Sequence, residues 1–179
     1  MANDAGRAKN YMSGERSVRS GTSRKPQSGE SQGRDEQRRF LDTNILVYLF
    51  DTDAPGKKAT VTSLFETEGA SGLLILSTQV LQEFYVVVTR KLARPLAPAV
   101  AEQAVHDFAT LPVRQVTPGL ILLAIRRSIE SRLSFWDALI VETAIDAGAT
   151  VLLSEDLQDG QVFEGVRVVN PFVGVSTFG

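Results

Sequence analysis

From Arg38 onward, short apolar runs of β character alternate with longer runs of helical spacing, the pattern of an α/β domain built on a largely parallel sheet. "RRFLD" reads as the first strand and "NILVYLF" as a short helix, and residues 56–69 form a second helix with Val61, Leu64 and Phe65 at helical spacing. "GLLILS" reads as a strand followed by a long helix from Thr78 to Leu92. Pro95 and Pro98 punctuate a turn before the helix "AVAEQAVHDFATL", and "VRQV" is a short strand. Thr117 and Pro118 fit the N-cap and first turn of the helix "GLILLAIRRSIES". Ser134 caps "FWDALIVETAIDA", which Gly148 ends. "TVLLS" is the next strand, "EDLQDGQVFEG" a loop, and "VRVVN" the last strand; no internal repeat is visible.

Composition narrows the chemistry. A chain of 179 residues, 43% hydrophobic, is long enough for one domain with a sizeable core. It has no cysteine and one histidine, His106, which removes disulfides, thiolate nucleophiles and Cys- or His-rich metal sites. What remains for catalysis is mostly carboxylate. No apolar run approaches the roughly 20 residues of a membrane span, and the first residues lack the apolar stretch of a signal peptide, so the expectation is a cytoplasmic protein. The net charge of −2 hides an asymmetry: residues 1–39 carry nine Lys/Arg against five Asp/Glu, residues 40–179 ten against sixteen. Residues 1–37 have almost no large apolar side chains and are expected to be a disordered basic extension. A basic arm that holds an anionic partner is one reading of it. A cloning remnant or an upstream start codon is the blander one and comes first, since a domain over 38–173 needs nothing before Arg38. Residues 174–179 are expected to be a tail.

In open α/β sheets ligands bind beyond the carboxyl ends of the strands, where the following helices begin. Four acids meet that criterion: Asp42 closes the first strand, Asp156 lies just past "TVLLS", Asp137 is in the first turn of its helix and Glu83 in the second turn of its own. Each has a plainer explanation. Asp42 is a favoured helix N-cap, and by residue type alone capping comes first; its position at the end of an apolar strand moves it back toward a site. Asp137 lies opposite a polar face at Glu142, Thr143 and Asp146 and so points to the apolar side, where an acid is paired, bound to a cation, or costly. Glu83 borders the polar arc of Gln79, Gln82 and Arg90 and reads from periodicity as solvated. Asp156 shares its loop with Glu155 and Asp159, and spacing does not choose among the three. Ser154 either orients a carboxylate or water, or merely ends the strand. Trp136 is expected in or near the core, although an aromatic by the site is able to stack on a base. His106 reads as a surface or half-buried residue. The clusters Arg90, Lys91, Arg94 and Arg126, Arg127, Arg132 read as solvated helix faces or as a track for a phosphate backbone.

Carboxylates gathered at one strand edge repel one another unless a cation neutralises them, and oxygen-only ligands select hard ions such as Mg2+ or Mn2+. The implied chemistry is metal-assisted hydrolysis of a phosphodiester. "FLDTNILVY", "QEF" within a helix, "SFWDALIV", and "TVLLSEDLQDG" followed by "GVRVVNPF" together resemble the PIN-domain ribonucleases, particularly the VapC-type toxins of bacterial toxin-antitoxin pairs. The resemblance runs from Arg38 to Phe172. It implies a three-layer α/β/α fold with a mostly parallel central sheet, Mg2+- or Mn2+-dependent endoribonuclease activity, an RNA substrate, frequent homodimers and a small cognate antitoxin. Carried over residue by residue, it makes Asp42, Glu83, Asp137 and Asp156 the site acids, with Asn44 and Ser154 in support and Asp42, Asp137 and Asp156 as metal ligands. It also raises Glu83 above its plain reading and selects Asp156 over Asp159. Competing readings are a Mg2+-dependent phosphatase of the haloacid dehalogenase type, a Mg2+-binding receiver domain, and an RNA- or partner-binding module with structural acids. The phosphatase needs a second Asp where this chain has Asn44, and the receiver needs a Lys where the late strand runs into "SEDL".

Overall fold

The computed structural model describes residues 37–174; the expected N-terminal extension, save Gln37, and all of the tail but Gly174 lie outside the described residues. Six strands form one mixed sheet: β1 (Arg39–Leu41), β2 (Leu74–Ser77), β3 (Val113–Arg114), β4 (Val151–Leu153), β5 (Val162–Phe163) and β6 (Val166–Val169), in the order β3-β2-β1-β4-β6-β5. Every pairing is parallel except β5 with β6. Six helices flank the sheet: α1 (Thr43–Val47), α2 (Pro55–Glu68), α3 (Thr78–Arg90), α4 (Pro98–Phe108), α5 (Pro118–Ser131) and α6 (Phe135–Asp146). The central strands are apolar without alternation because both faces are covered: β2 and β4 are buried throughout, as are Phe40 and Leu41.

Local chemistry sets the helix starts. Proline opens α2, α4 and α5, where the missing N–H would have no partner. Side-chain oxygens of Ser77, Thr117 and Ser134 accept from backbone N–H groups of the first turns of α3, α5 and α6. The loop expected between the last two strands instead contains β5, joined to β6 by the two-residue turn Glu164-Gly165, both at positive φ. Such a turn matches the twist of a hairpin, and Gly165 supplies the left-handed conformation without a Cβ penalty. At two residues β5 is too short to show a period.

Four phenylalanines knit the helices on one side of the core: Phe84 of α3 contacts Phe108 of α4 edge-on at 5.2 Å and Phe50 at 5.5 Å, and Phe65 of α2 meets Phe108 at 5.9 Å. Phe84 is fully buried. Phe84→Ala is expected to cost about 3–5 kcal/mol of unfolding free energy, read by urea denaturation, because removing the ring leaves a cavity that both rigid neighbours border.

Candidate active site

The order of strands reverses at β1, with β2 and β3 to one side and β4, β6 and β5 to the other, so the gap beyond β1 and β4 is a topological switch point. Register then places the first acid. Leu41 pairs with Leu153, and the Asp42 N–H continues the ladder to the Leu153 carbonyl at 3.0 Å. Asp42 and Ser154 therefore emerge side by side, and the Ser154 hydroxyl donates to Asp42 Oδ2 at 2.6 Å. Ser154 orients the carboxylate as well as ending the strand. Asp42 also serves as the N-cap of α1: its Oδ1 accepts the Thr43 N–H at 2.6 Å.

The other acids stand around the same cleft, a hollow of about 270 Å³ lined by Asp42, Glu83, Asp137 and Asp156. Glu83 is not a solvated glutamate. Its Oε2 accepts from Thr43 Oγ1 at 2.9 Å and its Oε1 from Gln79 Nε2 at 2.9 Å. Gln79, placed by periodicity on a polar arc with Gln82 and Arg90, is buried, because the first turn of α3 packs against α6 rather than water; Gln82 and Arg90 are exposed. Asn44 Nδ2 bridges Asp42 Oδ2 at 3.2 Å and Asp156 Oδ2 at 3.0 Å. The Asp137 carboxylate takes no hydrogen bond from any described residue; its N–H donates to Ser134 Oγ at 3.1 Å.

The three acids of the β4 loop separate by their partners. Glu155 turns away from the cleft, accepting from Lys57 Nζ at 2.7 and 2.8 Å and from Tyr48 Oη at 2.9 Å. Lys57 also donates to Tyr48 Oη at 2.8 Å and lies over the Tyr48 ring. Asp159 accepts the Asn170 N–H at 2.8 Å. That leaves Asp156 to line the cleft. Thr43, Gln79, Tyr48 and Lys57 are parts of the site that sequence reasoning missed; the i, i+4 spacing of Gln79 and Glu83 was the one available signal.

Two expectations need correction. The supposed polar face of α6 is largely inside: Thr143 and Glu142 are buried, Thr143 returning its hydroxyl to the Leu139 carbonyl at 2.7 Å and Glu142 pairing with Arg127 Nε at 2.6 Å. Arg127 also holds Glu164 of the hairpin turn, so it is a structural cation rather than a free rim charge. Asp137 reaches the cleft because it sits in the first turn, not because α6 is amphipathic. Trp136, expected in or near the core, is exposed, since that same first turn borders the cleft rather than the core. His106 lies on the surface as expected.

The family model for the PIN domain matches residues 39–160. The chain belongs to the PIN-domain family. Among solved structures the chain is similar to Mycobacterium tuberculosis VapC20, described as a sarcin-ricin loop cleaving toxin, with a TM-score of 0.50 and 22% identity over 72% of this chain and 98% of that one. That likeness bears on the fold, and it agrees with a mostly parallel sheet flanked by helices. No curated protein matches the chain. Among the described residues no helix is long and apolar enough to cross a membrane.

The donor set of this PIN domain fits a hydrated hard cation. The cleft lining holds no Lys or Arg, the Asp137 carboxylate is free, and Asn44 Oδ1 and Gln79 Oε1 are buried acceptors without a partner. Among the described residues no three Asp, Glu or His side chains converge as a ready-made metal cage; the Asn44 amide stands between Asp42 and Asp156. Mg2+ suits such spacing because it keeps several waters and needs few carboxylates.

Burial pushes the Asp42 carboxyl up from 3.8 to about 6, against the pull of the Ser154 and Thr43 hydrogen bonds and with a push from the charges of Asp156 and Glu83. The folded state then binds this proton more tightly than the unfolded chain, so cation-free protein loses stability as pH rises from about 4 to about 6, on the order of 3 kcal/mol. Asp42→Asn is expected to raise the unfolding temperature at pH 7.5 in EDTA and to lose that advantage at pH 4; a pH-independent difference would contradict the assignment. Lys57→Met leaves the half-buried Glu155 charge with the Tyr48 hydroxyl but no cation and is expected to cost on the order of 2 kcal/mol in urea unfolding.

Proposed function

We propose that this PIN domain is a divalent-metal-dependent endoribonuclease of the VapC type, the toxin of a toxin-antitoxin pair. The observation that carries the reading is that Asp42, Glu83, Asp137 and Asp156 all line one cleft with no Lys or Arg among its lining residues. Asp42, Asp137 and Asp156 would hold Mg2+ or Mn2+, with Asn44 and Ser154 fixing two of those acids. A bound ion of this kind lowers the pKa of a coordinated water and offsets the charge of a phosphodiester. Glu83, held on both oxygens by Thr43 and Gln79, keeps its orientation as substrate enters and orients a water at the cleft. The resemblance to a sarcin-ricin loop cleaving toxin supports RNA as the substrate class. The exposed row Ile121, Ile125 and Ile129 along α5 supports contact with another protein chain, a second copy or a small antitoxin.

Asp42→Asn and Asp137→Asn are expected to lower Mg2+- or Mn2+-dependent RNA cleavage by at least about a hundredfold, with the circular dichroism of the parent retained. Expression followed by sequencing of RNA 5′ ends reads the cleavage in the cell. Unchanged cleavage in both variants would sink the reading.

A further inference from the structure

Trp136 is the sole tryptophan of the chain and is 59% exposed, an uncommon place for the largest apolar side chain. Its position is fixed all the same. The ring meets Phe135 edge-on at 5.2 Å, and its backbone carbonyl accepts from Gln79 Nε2 at 3.2 Å, the same amide that donates to Glu83. The indole is thereby tied in register to the acids. It borders two hollows at once: the carboxylate cleft, and a neighbouring one of about 530 Å³ that shares Glu83 and Asp137 and runs on past Val86 and Val87 to Lys91. Along α3 the lining runs from Glu83, with Asp137 and Trp136 beside it, past the aliphatic Val86 and Val87 to the exposed cation Lys91.

That sequence of chemistries is complementary to one strand of nucleic acid, in which charged phosphates alternate with flat apolar bases. We infer that the second hollow is a base-binding subsite, in which an unpaired nucleobase of single-stranded RNA adjoining the cleaved phosphodiester stacks on Trp136 while Lys91 meets the next phosphate. The inference rests on the nuclease reading and adds to it the residues, Trp136 and Lys91, that hold the base and phosphate beside the cleaved bond. Bases inside a duplex already have both faces covered and cannot reach the indole.

The single tryptophan makes its own reporter. Titration of the full chain with a single-stranded RNA decamer in low salt and EDTA is expected to quench the Trp136 fluorescence and to shield it from acrylamide, and the same decamer as a blunt duplex to do neither. Trp136→Ala is expected to weaken decamer binding by about ten- to a hundredfold, measured by anisotropy of a labelled strand, and to raise KM in the cleavage assay more than it lowers kcat, with Trp136→Phe restoring most of both. Quenching and tighter single-strand binding without any cleavage would support the subsite while the nuclease reading fell. Cleavage that depends on Asp42 and Asp137 but keeps its affinity and KM in Trp136→Ala would overturn the subsite and leave the nuclease reading standing. A fluorescence change that follows protein concentration and ignores RNA would also overturn it, assigning the indole to contact between copies of the chain.

Discussion

The pairing of β1 with β4 is the constraint on which the site depends. Parallel register sets Leu41 opposite Leu153, and one further residue on each strand brings a carboxylate against a hydroxyl at the buried floor of the cleft. Because the two strands lie 112 residues apart in sequence, that contact exists only once the sheet is assembled. One side of the cleft is arranged from it: α1 starts on Asp42, Asn44 reaches from α1 to Asp156, and Thr43 reaches from α1 to Glu83 on α3.

The same burial that fixes Asp42 makes its charge expensive. Nearby donors offset part of that expense, since Ser154, Thr43 and Asn44 all donate to it. They do not cancel it, and Asp156 and Glu83 add repulsion. A site of this kind is poised for a positive partner, and Asn44 is the nearest thing the protein itself supplies: its amide N–H groups sit between two carboxylates while its oxygen goes without a donor.

The sheet, Asp42 and the helix start that carries Asp137 were legible because they rest on local signals, apolar strands that stop at Asp42 and Ser154 and helix starts marked by Ser, Thr and Pro, whereas Glu83 and the choice of Asp156 came only with the family resemblance. Three features were not. β5 is set by a two-residue turn and pairing to β6, neither of which has a period to read. The burial of Thr143 and Glu142 depends on Arg127 arriving from α5, a partner that no pattern within α6 announces. Glu155, Asp156 and Asp159 are interchangeable as turn formers, and only their separate partners, Lys57 and Tyr48 for the first and the Asn170 backbone for the last, distinguish the acid left at the cleft. Trp136 shows the opposite error: its type argued for the interior, and its place in the first turn of α6 put it at the mouth.

Both outer strands of the sheet, β3 and β5, are two residues long, and each has a charged pair beside it: Arg114 with Asp146 at one border, Arg127 with Glu164 at the other. An edge so short and so polar offers a neighbouring chain almost no ladder to extend. Growth of the sheet from molecule to molecule is thus blocked at both ends, and a concentrated population of this protein has helix faces, not strand edges, as its route to association.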